Sequence, residues 1–402
     1  MKRVVVIGAG PMGLAAAVGA RKRGFDVTVL EAGDVGAALD RWGPVRCFTP
    51  LAMNLPEAML RSIDVDRNAL LTGPEMRRLV LEPLVARLAI DVRTHHRVTA
   101  IGRCGLTRGD FAGHPMRAER PFVVQADGPD GERSFEAEIV LDASGGYTLP
   151  NASGSGGLPA AGERREAARF IRDHATLEAR ADALRGKRVL LIGHGHSAAN
   201  ALLILGHVGA NVVWAVRTAN QRPCVVVPND PLPERNAVVE QANALAAAPP
   251  EWLRVERRAM LLSIVCHPER SEGSGREGRV TAAPPPGSLA TLGMMVCEAT
   301  LSGGRKIAVD YVASFTGFHP DSRHLTEVTV ELSPVTEGGA RLYRAIANVT
   351  DCLTVPSVRP SDLASGEPNF FFIGSRAYGR ARTFLLQAGL AQLETILDSL
   401  PK

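Results

Sequence analysis

The chain has 402 residues, of which 45% are apolar and 22% charged, and its formal net charge is +4. A typical domain has about 150 residues, so this length predicts two or three domains with substantial cores. The small net charge, without a long Lys/Arg block, gives nucleic-acid binding no support. The first apolar run is too short for a signal peptide, and no apolar run reaches about 18 residues, so we expect a cytoplasmic protein without a membrane span.

The first 31 residues have the pattern of a dinucleotide-binding unit. The apolar run Val4–Ile7 predicts a buried strand, the alanine-rich segment that follows predicts a helix, and Val27–Leu30 predicts a second strand. A glycine turn separates the first strand from the helix, and an acidic residue ends the second strand. The cofactor-binding candidates of this unit are Gly8, Gly10, Pro11, Met12, Gly13 and Glu31.

Each position of such a turn has a physical purpose. Gly8 permits the sharp turn, Gly10 lets the backbone approach a pyrophosphate, and Gly13 lets the helix lie close to the strand. The helix N-terminus offers N–H groups and the positive end of its dipole to phosphates. A carboxylate at Glu31 would accept hydrogen bonds from ribose hydroxyls. The combination of strand, turn, helix, strand and acid makes this a specific signal, whereas the glycines alone are a weak one.

A second copy of the pattern begins near residue 187. The strand Val189–Ile192 precedes a glycine turn and a predicted helix, and the strand Asn211–Val216 follows. The candidates here are Gly193, Gly195, His196, Ser197, Ala198 and Arg217. Arg217 ends the second strand where the first copy has an acid, and a guanidinium there suits the 2′-phosphate of NADPH. The alternative is a surface arginine at a strand end.

The six cysteines are scattered, with no C-x-x-C pair. Neither a zinc site nor a redox dithiol is indicated, a disulfide scaffold is not expected in a chain of this length, and we predict no metal site. The polar, glycine-rich segment 266–278 predicts an exposed loop within the second half of the chain. Further on, Asn369–Ile373 predicts a strand that ends at Gly374-Ser375, and Thr383–Leu400 predicts a helix.

Four motifs, taken in order, resemble the two-dinucleotide-binding-domain flavoproteins, the superfamily that includes flavin-containing monooxygenases and thioredoxin-reductase-like oxidoreductases. They are GAGPMG (Gly8–Gly13) with Glu31, GHGHSA (Gly193–Ala198) with Arg217, FTGFHPD (Phe315–Asp321) and NFFFIGS (Asn369–Ser375). The segments RWGPVRCFTP, TGPEM and GRARTFLLQAG further resemble bacterial NADPH-dependent flavoproteins of the monooxygenase type.

The resemblance implies an α/β fold with two Rossmann-like, three-layer dinucleotide-binding domains. FAD is expected on the first fingerprint and NADPH on the second, with the NADPH domain (148–317) inserted in the FAD domain (1–147 and 318–402). Gly374 and Ser375 would approach the ribityl chain or pyrophosphate of FAD. Relatives often have an aspartate after that glycine, so Ser375 would be a weaker, uncharged acceptor.

The resemblance also implies a flavin pocket lined by Trp42, Arg46 and Asn54. Arg46 would stabilise negative charge on the reduced flavin, and a surface position is its alternative. Asn54 matches an asparagine that flavin monooxygenases place near the reactive face, and its alternative is a cap on the helix that follows.

We therefore expect an FAD-dependent oxidoreductase, reduced by NADPH, that acts as a monooxygenase through a peroxyflavin. Its substrates would be O2 and a small soft nucleophile. The missing dithiol disfavours thiol–disulfide catalysis, and the Baeyer–Villiger fingerprint is also missing. The alternatives are a flavin reductase or dehydrogenase without oxygen insertion, and a nucleotide-binding redox sensor without turnover. The sequence leaves the substrate and the oligomeric state open, a homodimer included.

Overall fold

The computed structural model describes residues 1–268 and 295–401. Its contacts divide the chain into two compact units. Unit 1 comprises Met1–Pro150 and Gly317–Lys402, and unit 2 comprises Asn151–Thr316. Unit 2 thus interrupts unit 1 in the sequence.

Unit 1 is built on a five-stranded parallel sheet, in the order β18-β7-β1-β2-β3. A three-stranded antiparallel sheet, β4-β5-β6, and a two-stranded ribbon, β8-β17, complete it. The strands are β1 (Arg3–Ile7), β2 (Asp26–Leu30), β3 (Val92–Arg93), β4 (Arg97–Arg103), β5 (Phe122–Gly128), β6 (Gly131–Ala137), β7 (Ile139–Asp142), β8 (Leu149–Pro150), β17 (Phe318–His319) and β18 (Phe370–Phe372). The central strands β1 and β7 are apolar throughout most of their length because both sheet faces are covered.

The helices of unit 1 cover this sheet and its edges. Their bounds are α1 (Pro11–Lys22), α2 (Glu57–Leu60), α3 (Gly73–Met76), α4 (Glu82–Arg87), α9 (Ala340–Ile346), α10 (Pro360–Leu363), α11 (Ser375–Tyr378) and α12 (Leu386–Ser399). Helix α1 crosses from β1 to β2 and buries its alanines against the sheet, and α12 packs beside it. The predicted C-terminal helix is therefore present, three residues shorter at its start than the sequence indicated.

Unit 2 contains the second parallel sheet, in the order β12-β11-β10-β16-β9. An antiparallel sheet, β13-β14-β15, accompanies it. The strands are β9 (Phe170–Ile171), β10 (Arg188–Ile192), β11 (Asn211–Val216), β12 (Leu253–Arg257), β13 (Leu261–Pro268), β14 (Met295–Leu301), β15 (Arg305–Val309) and β16 (Tyr311–Ser314). The helices are α5 (His174–Ala179), α6 (Ala181–Leu184), α7 (His196–Val208) and α8 (Pro233–Ala247). The predicted fold class, with two parallel sheets of Rossmann type, is confirmed.

The expectation of an exposed loop over residues 266–278 is wrong at its start. Cys266–Pro268 is not loop but the end of β13, because these residues pair with β14 across a long sequence gap. Residues 269–278 lie outside the described part of the chain. Cys266 faces Cys297 in this register, and the two form a disulfide. A spacing of 31 residues gave no local signal for that pair.

Candidate cofactor-binding sites

The first glycine turn lies at the topological switch point of the unit 1 sheet, at the carboxyl end of β1. From β1 the chain passes through α1 to β2 on one side, whereas β7 pairs with β1 on the other. Open parallel sheets bind ligands outside the carboxyl ends of their strands at such a point. Gly8 and the segment after Asp142 meet there.

The glycines of this turn have two different roles. Gly8 has a φ of +97°, and a Cβ on it would lie 2.7 Å from the Ala143 carbonyl oxygen. A Cβ on Gly13 would lie 1.9 Å from the Gly8 carbonyl oxygen. Both positions therefore exclude a side chain for packing reasons. Beside Gly10, in contrast, nothing lies within 4 Å of the Cβ position, so that glycine faces open space.

Helix α1 directs its N-terminus into this open space. Gly10 is the N-cap residue and Pro11 occupies the first turn, and no side chain caps the helix. The N–H groups of that turn and the positive end of the helix dipole are thus available to an anion. Met12 has a different role, because its buried side chain packs where a Cβ on Gly374 would lie 2.6 Å from Met12 Cγ.

Glu31 follows β2, and its carboxylate holds the turn. Oε2 accepts a hydrogen bond from the Ala9 N–H at 2.7 Å, and Oε1 accepts one from the Gly33 N–H at 2.9 Å. Each oxygen retains lone pairs that can accept further bonds from ribose hydroxyls. Glu31 therefore both shapes the turn and presents an acceptor beside it.

Two further turns stand next to the glycine turn. One follows β7 and contains Ser144, whose hydroxyl is buried and, among the described residues, lacks a hydrogen-bond partner. The other begins at Gly374, which has a φ of +62°. The Gly146 N–H donates to Ser375 Oγ at 3.1 Å, and this bond joins the two turns.

A buried charged cluster below these turns was not predicted from the sequence. Asp142 is fully buried and contacts His324 Nε2 at 3.1 Å and Arg376 Nε at 3.2 Å. Burial acts to raise the pKa of Asp142, but the two basic neighbours outweigh it and hold the pKa well below its usual range. The one available signal was an aspartate at the end of an apolar strand.

The three candidate flavin-pocket residues differ in burial and in their contacts. Trp42 is half-buried and packs against the core of unit 1. Arg46 is exposed, and its guanidinium bonds to the Leu70 carbonyl at 2.8 Å and to Glu75 Oε2 at 3.3 Å. These contacts are the ones expected if Arg46 is a surface residue, which was the alternative to a role in the flavin pocket.

Asn54 is buried and belongs to the loop before α2. It accepts a hydrogen bond from Thr49 Oγ1 at 2.8 Å and donates one to the Thr49 carbonyl at 3.2 Å. The alternative that Asn54 caps the next helix is wrong, because α2 begins after Pro56 and has no side-chain cap. Asn54 instead closes its own loop.

The second glycine turn repeats the first in unit 2. Gly193 has a φ of +120°, and a Cβ on it would lie 2.4 Å from the Phe315 carbonyl oxygen. Nothing lies within 4 Å of the Cβ position of Gly195, which is the N-cap of α7 and lacks a side-chain cap. Ala198 is buried at the third position, as the fingerprint allows.

Three polar side chains surround this second turn. His196 and Ser197 are exposed in the first turn of α7, and the Ser197 carbonyl bonds to His174 Nε2 at 2.9 Å. Arg217 is exposed directly after β11 and, within the described residues, its guanidinium has no hydrogen bond or ion pair. It is therefore available to an incoming anion.

Two other classes of site find no support in the described residues. No group of three or more His, Cys, Asp or Glu side chains could hold a metal ion there. No helix in that part of the chain is long and apolar enough to cross a membrane.

Comparisons with known proteins agree with this geometry. Residues 5–106 match the family model described as pyridine nucleotide-disulphide oxidoreductase. A search of curated protein sequences gave no match. Among solved structures, bacillithiol disulfide reductase from Bacillus cereus is similar with a TM-score of 0.68 and 19% identity, covering 99% of this chain and 98% of that one.

Two more solved structures have the same architecture. Thioredoxin reductase from Lactococcus lactis has a TM-score of 0.60 and 15% identity, with 99% of this chain and 97% of that one covered. A flavin monooxygenase variant from Stenotrophomonas maltophilia has a TM-score of 0.57 and 19% identity, with 98% and 97% covered. Residues 5–106 thus match the pyridine nucleotide-disulphide oxidoreductase family, and the chain as a whole has the fold of these solved structures, with two Rossmann-like dinucleotide-binding domains.

Proposed function

We propose that the chain is an FAD-dependent oxidoreductase that is reduced by NADPH and transfers oxygen from O2 to a small soft nucleophile. The observation that carries the first part is the pair of glycine turns, each at the switch point of a parallel sheet. In both turns the middle glycine, Gly10 or Gly195, faces open space while the first glycine is packed against a neighbouring strand end.

The residues of the first site fit FAD. The space beside Gly10 contains no protein atom within 4 Å of the Cβ position, so a pyrophosphate could approach the backbone there. The N-terminus of α1 supplies N–H groups for that pyrophosphate. Glu31 supplies ribose acceptors, and the buried Ser144 hydroxyl lacks a protein partner among the described residues. These are the donors and acceptors that an anionic dinucleotide requires.

The residues of the second site fit NADPH. Gly195 and the N-terminus of α7 would receive the pyrophosphate, and Arg217 would pair with the 2′-phosphate. A guanidinium presents a planar fork that matches phosphate oxygens, and Arg217 has no competing partner among the described residues.

The flavin, when bound, supplies hydride acceptance and reactivity toward oxygen, so the protein has to bind, orient and exclude water. Glu31 keeps the first glycine turn in shape through the Ala9 and Gly33 N–H groups. Met12 fills the space between α1 and the Gly374 turn with an apolar side chain, which keeps water out of that junction.

The positions of the cysteines support an acceptor other than an internal dithiol. Unit 1 contains Cys47, Cys104 and Cys352, which are far apart in sequence. Burial raises the pKa of the Cys47 thiol to about 11, so its thiolate is scarce at neutral pH. Among the described residues the one disulfide, Cys266–Cys297, lies in unit 2. Oxygen transfer requires no such thiol pair.

A reductase is the second candidate, and it is favoured by the fold comparison. The bacillithiol disulfide reductases from Bacillus cereus and Staphylococcus aureus are similar with TM-scores of 0.68 and 0.66. In that case electrons would pass to a small disulfide or another small acceptor without oxygen insertion.

Product analysis with isotopically labelled O2 tests the proposal. The FAD-loaded full chain is incubated with NADPH and a panel of thiols, sulfides, amines, arsenicals and small disulfides. We expect NADPH oxidation to be accelerated by at least one class, with label in the product and little hydrogen peroxide. Unlabelled, reduced product in the absence of O2 would support the reductase instead. If no compound of the panel accelerates NADPH oxidation or is converted to a product, both the monooxygenase and the reductase proposals are contradicted.

A further inference from the structure

The buried cluster at the carboxyl edge of the unit 1 sheet has an organisation that dinucleotide binding alone does not explain. Asp142 ends β7, level with Ile7 of β1 and Phe372 of β18. Its carboxylate accepts a hydrogen bond from the Ser144 N–H at 3.0 Å and contacts His324 and Arg376 on its other side. One side chain therefore fixes the turn after β7 to two distant segments.

Arg376 extends these connections. Its guanidinium is fully buried, and it donates to the Glu337 carbonyl and to Ser322 Oγ, both at 2.9 Å. The group also lies over the Phe372 ring, 4.5 Å from its centroid. Because Arg376 stands two residues after Gly374, these contacts fix the turn that follows β18.

The two turns held by the cluster are those that border the first glycine turn. The turn after β7 approaches Gly8 so closely that a Cβ there would lie 2.7 Å from the Ala143 oxygen. The turn after β18 touches α1 through Gly374 and Met12. The hydrogen bond from the Gly146 N–H to Ser375 Oγ joins these two turns directly.

We propose that Asp142, His324 and Arg376 are positioning residues for the flavin cofactor, holding the turns at Ala143–Gly146 and Gly374–Ser375 in the arrangement that FAD requires. The inference rests on the proposed function, since it presumes FAD at the first glycine turn. Burying a carboxylate is costly even when it is paired. The position of this one, directly below the site, explains why that cost is met here.

The same sheet contains a natural control at its opposite edge. Glu367 precedes β18 and is also fully buried, and it pairs with Arg103 at 2.9 Å and Arg117 at 3.0 Å. Both carboxylates thus have two basic partners and comparable burial. Ligands bind at the carboxyl edge of a parallel sheet, so Glu367 lies at the edge where no cofactor is expected.

The test compares Asp142→Asn with Glu367→Gln in the full chain after removal of FAD. Flavin fluorescence gives the FAD dissociation constant, and the visible absorption and circular dichroism spectra report the flavin environment. For Asp142→Asn we expect affinity to fall by about 10- to 100-fold, as when a partner that orients a binding group is lost, and the spectra to shift. Glu367→Gln should lower the thermal midpoint but leave FAD affinity and spectra unchanged.

His324→Ala and His324→Gln provide the same test should Asp142→Asn not fold. The alanine variant removes one contact to Asp142 and should weaken FAD binding, whereas glutamine can still donate to the carboxylate and should restore it. Unchanged affinity and spectra in the folded Asp142 or His324→Ala variants would overturn the proposal, as would an equal loss in Glu367→Gln. Failure of the unmodified chain to bind FAD would instead refute the proposed function.

Discussion

The three glycines of the first turn differ in what surrounds them. Gly8 and Gly13 are packed against backbone, whereas Gly10 has ordinary backbone angles, with a φ of −77°, and open space at its Cβ position. Packing therefore accounts for two of the glycines but not for the third. Under the proposed function, a ligand that approaches the backbone closely would account for the glycine at this position.

Gly10→Ala should separate cofactor binding from folding. The added methyl meets no protein atom within 4 Å, so we expect a stability cost of about 1 kcal/mol or less from the poorer N-cap. FAD binding should be lost, because the methyl occupies the space of the pyrophosphate. Thermal unfolding and the flavin content of the purified variant measure the two effects.

Gly13→Ala is the matched control for Gly10→Ala, since its Cβ would lie 1.9 Å from the Gly8 oxygen. That variant should be strongly destabilised. Normal FAD content in Gly10→Ala would show that the turn is not the binding site.

Arg217→Ala should change the choice of nicotinamide cofactor. A charge-assisted hydrogen bond contributes about 1.5–3 kcal/mol, so the KM for NADPH should rise by about 10- to 100-fold while that for NADH changes little. Arg254→Ala is the control, because this exposed arginine of β12 pairs with Glu256. Equal losses for both cofactors in Arg217→Ala would remove the 2′-phosphate argument.

Sequence reasoning could identify Glu31 but not Asp142 as part of the candidate site. Glu31 lies at a fixed distance after a glycine turn, and one βαβ unit determines that spacing. Asp142 acquires its role from His324 and Arg376, which are 182 and 234 residues away in the chain. Such contacts depend on the complete fold, and so do the contacts that place Arg46 at the surface and Asn54 within its loop.

At the scale of elements, sequence periodicity predicted those strands and helices whose formation depends on neighbouring residues in the chain. The strand–turn–helix units around Gly8 and Gly193 are present because each is a short, continuous βαβ segment. Residues 266–268 were misassigned to a loop because their strand partner lies near residue 296. Polar composition indicated exposure there, but non-local pairing determined the structure.

The connection between β7 and the turn after it should be sensitive to acid. Because the pKa of Asp142 is held below its ordinary value of 3.8, the unfolded chain takes up a proton that the folded chain does not. The contribution of ionised Asp142 to the free energy of unfolding is therefore complete above about pH 4 and decreases as the pH falls. The urea midpoint of the unmodified chain should decrease over this range, and that of Asp142→Asn should decrease less steeply.

Leu141→Ala is the control for this acid dependence. It removes a buried side chain from the same strand without changing a carboxylate, so it should lower the midpoint but keep the slope of the unmodified chain. An identical slope in Asp142→Asn would contradict the assigned ionisation of Asp142.

At the scale of the whole molecule, the chain consists of two units that each carry a complete dinucleotide-binding pattern. The two crossings between them lie beside the ribbon of β8 and β17, both of which belong to unit 1. The repeat in the sequence could predict two such patterns because each is local. It could not predict the substrate, since no short motif encodes a pocket formed by loops.

Alkylation of the native chain tests whether its thiols can take part in disulfide exchange. Exposed Cys104 should react first with iodoacetamide, and Cys266 and Cys297 should be protected as a disulfide. Burial raises the pKa of Cys47 and that of Cys224 to about 11, so both should react at least about tenfold more slowly than Cys104 near pH 8. Peptide mass spectrometry after timed labelling gives the rates. Rapid labelling of Cys47 would favour the reductase.

An anaerobic titration of the FAD-loaded chain with NADPH tests the central claim most directly. The claim is that one chain holds FAD at the first glycine turn and accepts NADPH at the second. We predict that the visible flavin absorbance is lost in proportion to added NADPH, up to one equivalent per chain, and that a Gly195→Ala variant retains FAD but resists this reduction. The account would be contradicted if the chain binds no FAD, or if NADPH fails to reduce the bound flavin.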